Sequence, residues 1–249
     1  MNIMEDERIV SWFSCGAASA VAAKLMLAEN KPITIAYCHV KEEHPDNMRF
    51  LKDCEQWFGQ KIIILENEKY KGSCHNVFKK HCFRTPHGSP CTSYLKKQVR
   101  LKFQQDNDVI VFGYTAEEEG RLNNFIDRNN EVPIRAPLVE QGITKGEVLA
   151  MIKRAGIEVP VMYKLGYEHN NCVGCVKGGM GYWNKIRVDF PKEFQEYAEL
   201  ERERGYTILK DKNGPIYLDE LDPNRGRMSD EPKIECGIMC EIAIANYSG

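Results

Sequence analysis

The chain lacks an apolar run long enough to cross a membrane. Its apolar stretches reach about six to nine residues, whereas a spanning helix needs roughly 20. It lacks a recognisable leader: "MNIMEDERIV" is polar and acidic, where a secretory signal has a basic start and a longer apolar stretch. It lacks an excess of either charge, with 34 Lys and Arg against 36 Asp and Glu and a net charge of −2. That balance excludes wholesale nucleic-acid binding and leaves room only for a local basic patch. There is no internal repeat and no low-complexity tract. Together these absences predict a soluble, cytoplasmic protein with no membrane partner.

Cysteine is what the chain has in plenty, 10 residues among 249. In a reducing compartment that number points to metal binding or thiol chemistry rather than to disulfides.

The hydrophobic pattern alternates between short apolar runs and helical periodicity. Runs at 8–13, 32–40, 61–66 and 108–113 read as strands, with a further extended piece near 132–138. Segments 18–30, 46–59, 92–104 and 144–156 read as helices. Asp46 is a candidate N-cap, and Thr144 with Glu147 forms a capping box closed by Gly156. Strands alternating with helices predict an α/β fold built on a doubly wound, mostly parallel sheet. Residues 1–160 are expected to form a nucleotide-binding core. Residues 161–204 complete it with a cysteine loop and a helix near 191–204, and 205–249 form an irregular C-terminal extension carrying Cys236 and Cys240. Residues 67–90 read as irregular.

Between the first strand and first helix lies "SWFSCGAASA". A turn of small residues at the carboxyl end of a parallel strand lets backbone N–H groups face a phosphate, aided by the helix N-terminus. An ordinary tight turn would read the same way. The segment resembles the pyrophosphate loop (PP-loop) S-G-G-x-D-S of the adenine-nucleotide α-hydrolase superfamily: Ser14, Gly16 and Ser19 match, Cys15 replaces a glycine and Ala18 replaces the acid. That acid serves ATP chemistry in the ATP-splitting members. Its loss resembles the sulfonucleotide reductase branch, which binds an already activated nucleotide. The likeness continues in order to residue 240. "YCHVKEEHPDNMRFLKD" resembles D-T-G-x-x-F-P-E-T-x-x-F, and "VFGYTAEEEGR" resembles I-T-G-x-R-x-x-E-S-x-x-R through Gly113, Glu117 or Glu118, and Arg121. "IRAPL" through "NNCVGC" resembles a later reductase segment, and "IECGIMC" resembles the terminal E-C-G-[IL]-H. The sequence is identified as a relative of phosphoadenosine phosphosulfate (PAPS) and adenylylsulfate (APS) reductases, in the form seen in phage genomes.

Cys172-Val-Gly-Cys175 has metal-ligand spacing and would also suit a redox pair. Cys91 precedes a helix whose dipole favours a thiolate. In the adenylylsulfate-type reductases a Cys-Cys pair joins a distant C-x-x-C to hold a 4Fe–4S cluster, and Cys91, Cys172 and Cys175 map onto three of its four ligands. The fourth is open: Cys82, a tail thiol (Cys236 or Cys240), or no protein ligand at all. Zinc is the second choice of metal, with His81, His87 and His169 near the candidates in sequence. Cys38 and Cys54 fall on strand and helix patterns and read as buried structural thiols.

The resemblance further implies an adenine nucleotide held by Ser14, Cys15, Gly16, Ser19, Gly113 and Arg121, and a sulfate or phosphate contacted by Lys96, Lys97 and Lys177, with Arg225 and Arg227 in support. It implies Cys236 as the nucleophile, with Cys240 as resolving thiol or ligand, and a thioredoxin- or glutaredoxin-like reductant as partner. Met239 stands where the reductases have histidine. Two alternatives stay open: an ATP-dependent sulfur transferase acting on tRNA or DNA, and a non-catalytic nucleotide-binding metalloprotein. A homo-oligomer is compatible with each.

Overall fold

The first strand, β1 (Ile9–Phe13), is buried at every residue. A strand covered on both faces must lie inside a sheet, and the apolar run IVSWF allows it. The structure, a computed structural model, describes residues 8–231 apart from His87, Asn130, Glu131 and Asn171. Around β1 it places β2 (Ile33–Cys38), β3 (Ile63–Leu65), β4 (Val109–Val111) and β5 (Ile134–Arg135) in the order β3-β2-β1-β4-β5. All four pairings are parallel. The chain winds outward from β1 in one direction and then in the other, so the switch point lies between β1 and β4.

Parallel neighbours require crossover helices. These are α1 (Ala17–Ala28), α2 (Asp46–Phe58), the five-residue α3 (Cys74–Phe78), and then α4 (Pro90–Thr92), which runs through a π-helical turn, Ser93–Lys97, into α5 (Gln98–Phe103). After β4 come α6 (Glu119–Arg128), α7 (Pro137–Glu140), α8 (Lys145–Arg154) and α9 (Val161–Lys164), and finally α10 (Met180–Asp189) and α11 (Pro191–Arg204). Alternation along β1 divides the core. Phe13 faces α1, α2 and α8 with Tyr37, Phe50 and Ile152. Val10 and Trp12 face α5 and α6 with Phe112, Leu122 and Phe125.

A third core cluster, without a strand of the main sheet, joins Tyr70, Cys74, Phe78 and Leu95 to Cys172, Trp183, Tyr197 and Leu218. The packing unit around the cysteine loop therefore draws on residues 70–95 and crosses the boundary expected at 160. The segment 67–90 is not wholly irregular, because α3 lies inside it. Asp46 does not cap α2. Pro45 holds that place, and the Asp46 carboxylate accepts from Val161 N–H at 2.9 Å and pairs with Arg49. The capping box at Thr144 and Glu147 forms as expected. Among the described residues no helix is long and apolar enough to cross a membrane.

The C-terminal part closes with a hairpin, β6 (Leu209–Asp211) and β7 (Gly214–Ile216). It is tied to α11 by a fully buried carboxylate, Glu201, which accepts from the backbone N–H groups of Ile208 and Leu218. Burial outweighs those two bonds and pushes its pKa up to about 7. A carboxyl group that binds its proton more tightly in the folded state favours folding at low pH and loses that contribution as pH rises toward 7. Between pH 5 and pH 8 this amounts to about 2 kcal/mol. Denaturant unfolding at the two pH values should therefore show a pH difference smaller by about that amount in Glu201→Gln than in the parent chain.

Candidate functional site

At the switch point, β1 ends in the exposed Ser14 and the buried Cys15. Cys15 takes a left-handed backbone conformation, φ 55°, which is strained for a side-chain-bearing residue. Its thiol is turned inward, 3.7 Å from the Asn47 carbonyl, and burial pushes it well above the usual thiol range. What Cys15 can offer a ligand is thus backbone, not sulfur. Ser19 fixes the loop from the first turn of α1: its hydroxyl accepts from Ser14 N–H at 3.1 Å and donates to the Gly16 carbonyl at 2.9 Å. The Ser14 hydroxyl lies 3.1 Å from that of Ser19.

Beyond β4, Gly113 lies against this loop. A Cβ there would come within 2.6 Å of Ser19 N and 2.7 Å of the Ala18 carbonyl carbon. Only glycine lets the end of β4 approach the start of α1 so closely. Arg121 follows on α6, ion-paired with Glu118 and set over the Tyr114 ring. Four of the six residues expected at the nucleotide, Ser14, Gly16, Ser19 and Gly113, are thereby brought to one cleft edge with Cys15 beneath them. His169 belongs to this side, with Lys145, Glu118 and Arg121 acting on it and burial lowering its pKa.

A buried polar network underlies the loop. The Glu43 carboxylate accepts from Tyr37 Oη (2.5 Å), Asn47 Nδ2 (3.0 Å) and Lys96 Nζ (3.1 Å). Asn170 Nδ2 bridges the Cys15 carbonyl (2.8 Å) and Asn47 Oδ1 (2.7 Å). Lys96 is therefore not a solvated surface cation but half of a buried ion pair, its side chain 11% exposed against 2% for Glu43. Lys97 and Lys177 are half-buried.

The same network reaches the cysteines. Residue Glu43 bridges Cys172 through backbone, and the Glu42 carbonyl accepts from Val173 N–H at 2.8 Å. The Glu42 carboxylate caps α3, accepting from Ser73 Oγ (2.6 Å), Cys74 N–H (2.7 Å) and His75 N–H (3.2 Å). The turn Cys172–Cys175 is shaped by Gly174, at φ 72°, where a Cβ would sit 2.6 Å from the Tyr197 ring. Tyr182 Oη locks it, accepting from Cys175 N–H (2.9 Å) and donating to the Cys172 carbonyl (3.1 Å).

The thiols of Cys172 and Cys91 are the strongest influences on that of Cys74. They, then burial, hold Cys74 well above the usual thiol range. The Cys74 thiol draws Cys91 the other way, below it, helped by Lys177 and Lys96 against the cost of burial. Cys74 is the residue that the sequence analysis did not single out. Cys82 is half-buried and is not one of the thiols that act most strongly on Cys74. His81 is engaged elsewhere, 2.8 Å from Tyr70 Oη and stacked on Tyr94. His87, Cys236, Met239 and Cys240 lie outside the described residues. Among the described residues no group of three or more His, Cys, Asp or Glu side chains is arranged to hold a single metal ion.

The last described stretch returns to this region. Glu231 accepts from Gly179 N–H (2.6 Å) and Gly181 N–H (2.7 Å) at the start of α10. Arg84 donates to the Val176 and Gly178 carbonyls just before it. Arg225 is ion-paired with Asp211, and the Arg227 backbone packs against Gly181.

Comparison with known proteins matches residues 8–178, from β1 through the C-x-x-C turn, to the phosphoadenosine phosphosulfate reductase domain. The chain belongs to this family. A PAPS reductase of Candida auris, solved with phosphate, shares the fold of these family members with a TM-score of 0.52 at 12% identity, over 68% of this chain and 82% of that one. An uncharacterized protein of Methanocaldococcus jannaschii is 24% identical over 205 residues, 77% of this chain but 41% of the other, so the chain spans less than half the length of that relative.

Two outcomes follow for this PAPS reductase relative. Gly113→Ala should cost about 1–3 kcal/mol in denaturant unfolding, because its Cβ would meet the Ala18–Ser19 backbone. Lys96→Met strands the Glu43 carboxylate and should cost about 3–5 kcal/mol in the same measurement.

Proposed function

We propose that the protein is a thiol-dependent sulfonucleotide reductase that converts an adenylylated sulfate to sulfite. The observation that carries this reading is the close seating of Gly113 on the Ser14–Ser19 loop at the switch point. It supports a nucleotide held by loop backbone, while Ala18 leaves the loop without the acid that ATP chemistry uses. Lys177, which acts on Cys91, would supply positive potential to the sulfate end of such a nucleotide, whereas the charge of Lys96 is met by Glu43.

In this reading the Cys236 thiolate attacks the sulfate sulfur. The S–O bond to the nucleotide breaks and the adenosine phosphate leaves with the electron pair, giving an S-sulfonate on Cys236. A thiol of a thioredoxin- or glutaredoxin-like dithiol then attacks the Cys236 sulfur. Sulfite departs with the S–S bonding pair, and the mixed disulfide is resolved by the second thiol, so the dithiol supplies two electrons. Cys240 is an alternative resolving thiol. Glu231 is bonded to the start of α10 beside the C-x-x-C turn.

A 4Fe–4S cluster is the favoured reading over zinc: His81 is engaged by Tyr70 and Tyr94, and the candidate donors are thiols. A cubane needs four cysteines lining one pocket, each on its own iron. Cys91, Cys172 and Cys175 would supply three. When bound, the cluster would supply a fixed charged centre beside Lys96 and Lys177.

An ATP-dependent sulfur transferase on tRNA or DNA is less well supported. The basic segment 92–104 would have to face phosphates, yet Lys96 and Arg100 are buried. Anaerobic, iron-replete protein given adenylylsulfate or its 3′-phosphate with a thioredoxin-type dithiol should release sulfite, and Cys236→Ser should abolish that release. Absence of sulfite from both nucleotides overturns the reading. Pyrophosphate exchange that depends on RNA or DNA would favour the transferase, and tight nucleotide binding without turnover the non-catalytic form.

A further inference from the structure

We propose that Cys74, rather than Cys82 or a tail cysteine, is the fourth thiolate beside Cys91, Cys172 and Cys175 in the iron–sulfur site. This rests on the cluster reading above. Glu42 ties Cys74 to the C-x-x-C turn, its carboxylate accepting from Cys74 N–H at 2.7 Å and its carbonyl from Val173 N–H at 2.8 Å, and the thiols that act most strongly on Cys74 are those of Cys172 and Cys91. All four cysteines share one core cluster, with Cys91 packed against it from its edge.

The placement is built in. A five-residue helix is too short to persist alone, and α3 is held twice over at its N-terminus. Ser73 caps it, accepting from Asn76 N–H at 3.2 Å. Glu42 caps it a second time through its carboxylate, and the Glu42 carbonyl takes Val173 N–H. One residue thus pins the Cys74 backbone and the Cys172–Val173 backbone relative to each other. On the far side the Tyr197 ring lies against Gly174 and 4.5 Å from the His75 ring. The Tyr197 ring thus packs against both the start of α3 and the C-x-x-C turn.

Charge agrees. Four thiolates and a cluster carry net negative charge, and cations face the set from three elements. Lys96 comes from the π-helical turn, Lys177 from the loop after Cys175, and Arg84 from the loop before α4. With Cys74 in the set, neither Cys236 nor Cys240 is needed as a ligand, and both tail thiols are left for chemistry.

The test is anaerobic reconstitution of the full chain with ferrous iron and sulfide, counting both per chain. The parent protein and Cys82→Ser and Cys240→Ser variants should each hold about four iron, and Cys74→Ser under about one, as should Cys91→Ser. Full iron in Cys74→Ser together with loss in Cys82→Ser overturns the assignment but leaves the cluster reading standing. A parent chain that takes up no iron overturns both. Should Cys74→Ser fold poorly, alkylation of the unmutated protein before and after chelation decides. Removing iron should raise labelling at Cys74 together with Cys91, Cys172 and Cys175. A rise at Cys82 with none at Cys74 overturns the proposal.

Discussion

A carboxylate taken out of water must be met by donors or it costs several kcal/mol. Glu43 is such a carboxylate, and the site is organised by what meets it. Its donors come from β2 (Tyr37), α2 (Asn47) and the π-helical turn (Lys96), so three elements far apart in sequence are fixed relative to one another. Asn47 passes the constraint to Asn170 and through it to the Cys15 carbonyl, under the nucleotide loop. The backbone of the same residue pairs with Cys172. The phosphate-type loop and the cysteine turn are therefore two ends of one polar node rather than two neighbouring sites.

That arrangement explains the unusual turn after Cys91. A π-helical turn inserts a residue into the helical ladder and is costly unless the structure around it requires it. Here it spans Ser93–Lys97, and within it Lys96 is the residue that reaches Glu43. The cation that neutralises the buried carboxylate also acts on the Cys91 thiol. One side chain thus satisfies a structural charge and sets the electrostatics at the edge of the thiol set.

The central strands, the switch-point loop, the Thr144 capping box and the helix 191–204 were legible because each rests on local pattern: apolar runs, small residues at a strand end, a cap at fixed spacing, a proline start with a glycine stop. What could not be read depends on contacts distant in sequence. Lys96 was expected to contact sulfate, and its pairing with Glu43 could not be read because that partner is 53 residues away in the chain. Asp46 looked like a helix cap, yet its carboxylate answers Val161 N–H. Cys74 was hidden for a similar reason. Its helix has five residues and no periodicity to detect, and the carboxylate that meets its first N–H groups beside the Ser73 cap belongs to Glu42, 32 residues earlier.

The abundance of cysteine then resolves by environment. Cys15, Cys38 and Cys54 lie under the loop, at the end of β2 and on α2, and burial raises all three, Cys38 to about 12. At neutral pH they are protonated and chemically quiet, so they act as small apolar side chains. Cys74, Cys172 and Cys175 lie in one core cluster with Cys91 packed against it, and these four are the thiols proposed above as the metal set. Cys236 and Cys240 lie outside the described residues. A nucleophile must meet both substrate and reductant, and a thiol committed to a buried metal set can do neither. If the tail cysteines react, a fourth protein ligand has to be sought within the fold, and among the described cysteines outside the first set it is Cys74 on which Cys172 and Cys91 act most strongly.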